Sequence, residues 1–414
     1  MNYTFLLLTA SLHLQSPFFT HQKSFSHATL TFDHIKFGRS FSNFFYSQSS
    51  FSKTIFQSAH FSHFLASPVV VDSKTISNQL FYNQGFQFRG GREMTFLNSV
   101  FESCSSISMG GGIQLFGNTL DKSNLTISNC LFDSCSAGMQ GGAVYALSSR
   151  YIISESCFTR CYAKDKQTCS LRGESQFTHL INMTTVYLNG HGTNDMTTFS
   201  TSSTVIVITN INSTRNNVEN MAAGHYVATN LMCYLKYSTF SDNIGVNVLN
   251  IQLRNHESSI EYVNMINNTA SIKFTSLIYC NAKTAFGHFV FVRNSNPLVF
   301  TEKEGRIFLI DCIFDLSMND FLFEGQITHS RCDFEVDNPI THVFSKHPEK
   351  LCSNKFKKNI QTENEEEQSS KIWYFVAVAV CIIAIAVLFV ENPFQNATEE
   401  NVPFLSQKEA RKFH

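Results

Sequence analysis

The side chains best suited to chemistry are cysteines, and three of them recur at one place in a repeated phrase. Phe101-Glu-Ser-Cys104, Phe132-Asp-Ser-Cys135 and Phe158-Thr-Arg-Cys161 each put a thiol three residues after a phenylalanine. If such repeats stack one strand spacing apart, the three α-carbons lie about 5 Å from turn to turn, within the range a disulfide accepts. Cys104, Cys135 and Cys161 are therefore candidates for a vertical disulfide ladder or, equally, for a column of buried free thiols. Cys130-x4-Cys135 and Cys157-x3-Cys161 have spacings seen in zinc sites, but the spacing follows the repeat and no histidine pair accompanies it.

Other chemistry is sparse. Gly110, Gly111, Gly112, Gly141 and Gly142 would suit a phosphate cradle, yet no Lys-Ser/Thr follows them and they fall at matching places in two repeats, which makes them structural turns. The sequence contains no HExxH, GxSxG or CxxC. β-Helical enzymes that cleave carbohydrate carry acidic and basic residues on one exposed strand face, whereas Asp133, Asp242, Asp311 and Asp315 occupy different repeat positions and form no paired-carboxylate register. His21, His27 and His34 lie among serines and phenylalanines and read as surface or loop residues. No catalytic residue, cofactor or metal is expected.

The elements that position these residues are repeats. An apolar residue stands five positions before an anchor, and a small or polar one three positions after it, at Phe37, Phe56, Phe81, Phe101, Phe132, Phe158, Ile211, Phe240, Met265, Phe291 and Phe314. Anchor spacings cluster near 25, and the gap of 53 between Phe158 and Ile211 reads as two turns, one unrecognised. A fixed period in this range means stacked supersecondary units. Segments such as Thr204–Thr209 and Arg306–Asp311 are β-branched or aromatic and bounded by turn residues, so the unit is a strand. Because strand side chains alternate with period two, positions five before and three after an anchor face inward together only if corners reset the alternation. The expected fold is all-β, a parallel, right-handed β-helix solenoid, with the anchors buried. Asn243, Asn268 and Asn294 share the plus-three position and are expected to be neighbours on consecutive turns.

The ends place the chain in a cell. Residues 1–16 read as a signal peptide, 17–345 as the β-helix ectodomain, 346–371 as a juxtamembrane stalk, 372–390 as a transmembrane helix and 391–414 as a cytoplasmic tail. Ile372 to Val390 runs nineteen residues without a charge, about 28 Å of helix against a hydrocarbon core of roughly 30 Å. Sequons at Asn124, Asn182, Asn212 and Asn267 and eleven of twelve cysteines precede that span, which suits an extracellular rod. With 31 basic and 32 acidic residues, nothing recommends nucleic acid. Beyond the span, Asn392-Pro393-Phe394 has the form of a sorting motif in which an Asn-Pro turn presents a phenylalanine to an endocytic adaptor.

The Phe-x-x-Asn phrases (Phe240 to Asn243, Phe291 to Asn294), their cysteine variants and Gly141-Gly142-Ala143-Val144 resemble the paired repeats of the polymorphic outer-membrane-protein family. The chain is most similar to the family's counterparts on parasitic protists such as trichomonads, which carry a β-helical ectodomain, one span and a short tail. The resemblance implies a surface protein associated with adhesion; it carries over no catalytic residues. The expected function is a single-pass cell-surface adhesin or receptor that contacts an extracellular protein or carbohydrate ligand. A membrane-tethered carbohydrate-active enzyme and a structural coat component are the alternatives.

Overall fold

Short strands rich in phenylalanine and isoleucine bury one face only if another layer covers it, and here each strand is covered by the rest of its own coil. The computed structural model describes residues 2–6, 9–13, 19–21, 29–47, 53–72, 87–88, 92–117, 123–174, 177–190, 196–253, 258–271, 276–281, 283–295, 299–301, 306–317 and 326–344, with side chains for most of those from 29 onward. The chain divides into a unit Met1–Phe356 and a unit Lys357–His414. Everything below concerns the first, because the second lies outside the described residues.

Pairing between the described strands is parallel throughout. Each turn contributes to three faces. In one turn these are Ser123–Ser128, Leu131–Asp133 and Val144–Ser148, and each pairs in register with its counterpart one turn on. The solenoid is thus a parallel β-helix. Asn2–Leu6 and Thr9–His13, within the segment read as a leader, are strands paired to Thr29–Asp33 and Lys36–Ser40. Among the described residues no helix is long and apolar enough to cross a membrane; 372–390 and Asn392, Pro393 and Phe394 lie outside them.

In-register parallel pairing puts like on like. On the first face Phe32, Phe56, Phe96, Ile127, Ile153 and Ile181 form one inward column, continued by Ile208, Leu235, Ile260, Phe286 and Leu309. On the second face Phe37, Phe61, Phe101, Phe132 and Phe158 form another. The Phe101 and Phe132 rings stack at 4.7 Å and 3°, and those of Phe132 and Phe158 at 5.0 Å and 9°. All the described anchors are buried, but two are in the wrong column. Phe56 belongs to the first face, its turn being anchored by Phe61; Ile211 lies between columns, its turn being centred on Ser213. The unrecognised turn is that of Val186, which sits on Phe158. Phe81 lies outside the described residues.

Two corners per turn reset the alternation, as the spacing requires. Asn98 and Ser103, Asn129 and Ser134, Glu155 and Arg160, and Asp242 and Asn267 have φ between 48° and 54°. At the second corner the left-handed residue is the one before the plus-three position, and it can be Arg or Asp as well as Ser or Asn. The plus-three side chain itself turns inward. There the column runs Cys104, Cys135, Cys161, then Asn189, Asn216, Asn243, Asn268 and Asn294, joined by Nδ2 to Oδ1 hydrogen bonds of 3.0–3.1 Å from Asn189 to Asn294. Each Oδ1 also accepts the backbone N–H of the preceding member. Asn243, Asn268 and Asn294 are neighbours as the spacing predicts; Asn189 and Asn216 extend the ladder through the turns whose anchors were missed.

Two substitutions test this account by urea titration. Phe132→Ala removes a ring stacked on both sides and should cost about 3–5 kcal/mol. Asn243→Ala strips partners from the Asn216 amide and the Ser213 carbonyl and should cost at least about 3 kcal/mol, whereas Asn220→Ala, at an exposed position, should stay within about 0.5 kcal/mol.

Candidate functional site

The cysteine column is closed to chemistry. Cys104, Cys135 and Cys161 are fully buried free thiols, each directed at the carbonyl two residues back and at the phenylalanine carbonyl of the preceding turn. Burial pushes the Cys135 and Cys161 thiols well above the ordinary range and those of Cys130, Cys233 and Cys312 up to about 12. A thiol that does not ionise is neither nucleophile nor ligand. Among the described residues Cys157 is the one cysteine in a disulfide, and no group of His, Cys, Asp and Glu side chains is placed to hold a metal.

The scattered carboxylates brace corners. Asp133 holds Arg160 on the next turn, its Oδ1 accepting from Nε at 2.8 Å, and Asp311 holds Arg331 in the same way at 2.6 and 2.8 Å. Asp242 accepts from Asn267, and Asp315 from the backbone of Arg293. Gly110 and Gly141 have φ of 62° and 67°, and a Cβ on Gly111 or Gly142 would strike a carbonyl of the following turn. These glycines are structural turns. Of the sequons, Asn124, Asn182 and Asn212 are half-buried and Asn267 is exposed on a corner; Asn182 Oδ1 already accepts from Thr209 and Asn210.

A cleft of about 510 Å³ opens instead on the third face, within the range of small-ligand sites. Its outward column runs Tyr145, Ser170, Ser200 and Tyr226 on successive turns. Beside it run Leu147, Arg172, Ser202 and Ala228. Two serines between two tyrosines leave a slot where the stack lacks side-chain volume. Three strand spacings, about 14 Å, separate the tyrosine walls. Both walls are held: the Tyr145 ring packs on Phe116 at 5.1 Å, and Tyr226 Oη donates to Gln252 Oε1 at 3.1 Å. Burial raises both phenol pKa values, and Arg172 pulls that of Tyr145 partly back.

The corner supplies the third side. Gln140 Nε2 donates to Asp165 Oδ2 at 2.6 Å, while Ser170 Oγ and Lys166 Nζ donate to Gln140 Oε1 at 3.3 and 3.4 Å. Lys166 Nζ lies 3.8 Å from Asp165. Thr197, also in the lining, has a buried hydroxyl with no partner among the described residues. Register shifts occur between Lys166 and Cys169, Ser203 and Val205, and Ala222 and His225, and such bulges re-aim side chains next to functional sites. None of these residues was singled out in the sequence. Their signal is a pair of serines in a column of tyrosines, which exists only once the register is known.

A family model described as "Right handed beta helix region" matches residues 23–158. Comparison with curated proteins and with solved structures found no match. The protein is thus a right-handed parallel β-helix.

Two imidazoles are buried inside the coil. His225 is buried between Phe199 and Leu249, its Nε2 3.0 Å from Thr201 Oγ1, and burial lowers its pKa to about 3. His179, whose Nδ1 accepts from the Tyr151 backbone and whose Nε2 donates to the Glu174 carbonyl, is lowered to about 4, first by burial. Both are neutral when folded and take up protons when unfolded below about pH 6.5. Their contribution is present above that value and lost as pH falls towards the folded pKa values. His225→Phe should reduce the slope of stability against pH by about 1.4 kcal/mol per unit between about pH 6 and pH 4, read from urea titrations at each pH.

Proposed function

We propose that the protein is a single-pass cell-surface β-helix protein, an adhesin or surface receptor of the polymorphic outer-membrane-protein type, and that it binds carbohydrate in the slot between Tyr145 and Tyr226. The observation that carries the reading is the slot: preformed aromatic walls over a floor of serine hydroxyls. The lateral faces of a solenoid have their backbone groups committed to parallel pairing, so recognition there rests on side chains alone and a peptide cannot add as a strand. A hydroxyl floor with an amide and a carboxylate at its edge suits a polyol. Asp165 is the single carboxylate in the lining, where glycoside hydrolysis uses two, which favours binding over cleavage.

Surface display is supported by the charge-free run from Ile372 to Val390 and by the exposed sequon at Asn267, with the Asn392-Pro393-Phe394 tail facing adaptors inside the cell. The test expresses the full chain with an epitope on the tail. Protease added to intact cells should remove the rod and spare the epitope, and the cells should capture polysaccharide-coated beads. Ser200→Trp fills the slot from an outward position and should lower capture more than tenfold while melting temperature and surface level hold. A protected rod would refute surface display; undiminished capture by Ser200→Trp would refute the slot.

A further inference from the structure

We propose that the ligand of the slot is an acidic oligosaccharide, its sugar rings lying between Tyr145 and Tyr226 and one carboxylate or sulfate seated on the Arg172 guanidinium. This inference rests on the slot being the binding site. Two cationic side chains enter the lining, and they are not equivalent. Lys166 is tied to Asp165 and Gln140 in the corner network, so its charge is largely answered from within the protein. Arg172 has no ion pair among the described residues and is exposed; its charge favours ionisation of the Tyr145 phenol.

Its position in the outward column is what makes that charge available. Arg172 stands between Leu147 on one turn and Ser202 on the next, with Ala228 beyond. Large side chains on both neighbouring turns would cover an arginine stem and direct its head to solvent. Here the turns towards Tyr226 offer only a hydroxymethyl and a methyl, so the guanidinium borders the space above Ser200 and Ser202. A planar fork of N–H donors matches the two oxygens of a carboxylate or sulfate, and a bidentate pair fixes orientation as well as charge. The hydroxyls of Ser200 and Ser202 and the unpartnered Thr197 hydroxyl remain for the sugar's own hydroxyls. A neutral sugar would fill the same slot but leave the guanidinium to water.

Isothermal titration of the purified full-length chain in detergent distinguishes the cases, with tetragalacturonate as the carboxylated probe, a heparin tetrasaccharide as the sulfated one and maltotetraose as the neutral one. At least one acidic probe should bind more tightly than maltotetraose, and the probe that does so names the anion. Arg172→Gln should weaken that probe roughly tenfold to a hundredfold and leave maltotetraose unchanged; Arg172→Lys should recover charge but not the fork, and fall between. Ser200→Trp should abolish binding of every probe. If the neutral sugar binds as tightly as the acidic ones, or Arg172→Gln changes all probes alike, the acidic class is overturned while the slot survives. If acidic probes bind and Ser200→Trp leaves them untouched, the charge acts elsewhere and the slot reading falls. If Arg172→Gln binds as tightly as the original chain, Arg172 is not the seat of the anion and the proposal fails.

Discussion

In-register parallel stacking is the constraint on which the rest of the molecule depends. When every inward residue sits on its equivalent from the turn before, a side chain is tolerated according to how well it packs against a copy of itself. Phenylalanine does this with offset or parallel ring faces, each pair contributing about 0.5–1.5 kcal/mol beyond burial. Asparagine does it for a different reason: its amide carries both donor and acceptor, so a column of asparagines satisfies itself, and the backbone N–H groups of the corner at the same time. Cysteine offers only a weak donor, which explains why the Cys104 to Cys161 column turns to backbone carbonyls. The two columns meet where Cys161 N donates to Asn189 Oδ1 at 2.8 Å, so the change of chemistry leaves no backbone donor unpaired.

Stacking also moves conformational cost to the corners. Non-glycine residues in the left-handed region are uncommon, yet nearly every described turn has two. They recur because the pairing on both sides fixes the chain direction, and the strain is repaid by cross-turn bonds of the kind made between Asp133 and Arg160. The aromatic stack of Tyr237, Tyr262 and His288, with ring separations of 5.2 and 4.4 Å, applies the same rule outside the core. All three are left-handed corner residues, and residues near 342 fold back on them, His342 exchanging two hydrogen bonds with Asn264.

What was legible in the sequence follows from this physics. The minus-five, anchor and plus-three positions are visible because stacking selects the same residue class at each, turn after turn. Register failed where the class failed: Val186 and Ser213 occupy the second-face column between Phe158 and Phe240, and neither announces itself as an anchor. Phe56 misled for the opposite reason, since first-face and second-face columns in that part of the rod are both phenylalanine and a five-residue shift still lands on an apolar residue. The slot was not legible at all. Ser170 and Ser200 are unremarkable within their own turns and acquire meaning only beside Tyr145 and Tyr226, up to three turns apart.

That division bears on how a solenoid of this kind can hold a binding site. Inward positions are tied to their copies above and below, so a change there propagates along the column and is felt as lost stability. Outward positions have no such obligation, and a run of small residues among large ones creates a slot without disturbing the core. The three register shifts lie on the strands that form this slot, which places backbone irregularity where the wall is made and regularity where the core is packed. A bulge disturbs a ladder least where the face it alters looks outward. The site is therefore an interruption of the repeat: the stack supplies rigid walls at fixed spacing, and the omitted side chains supply the space between them.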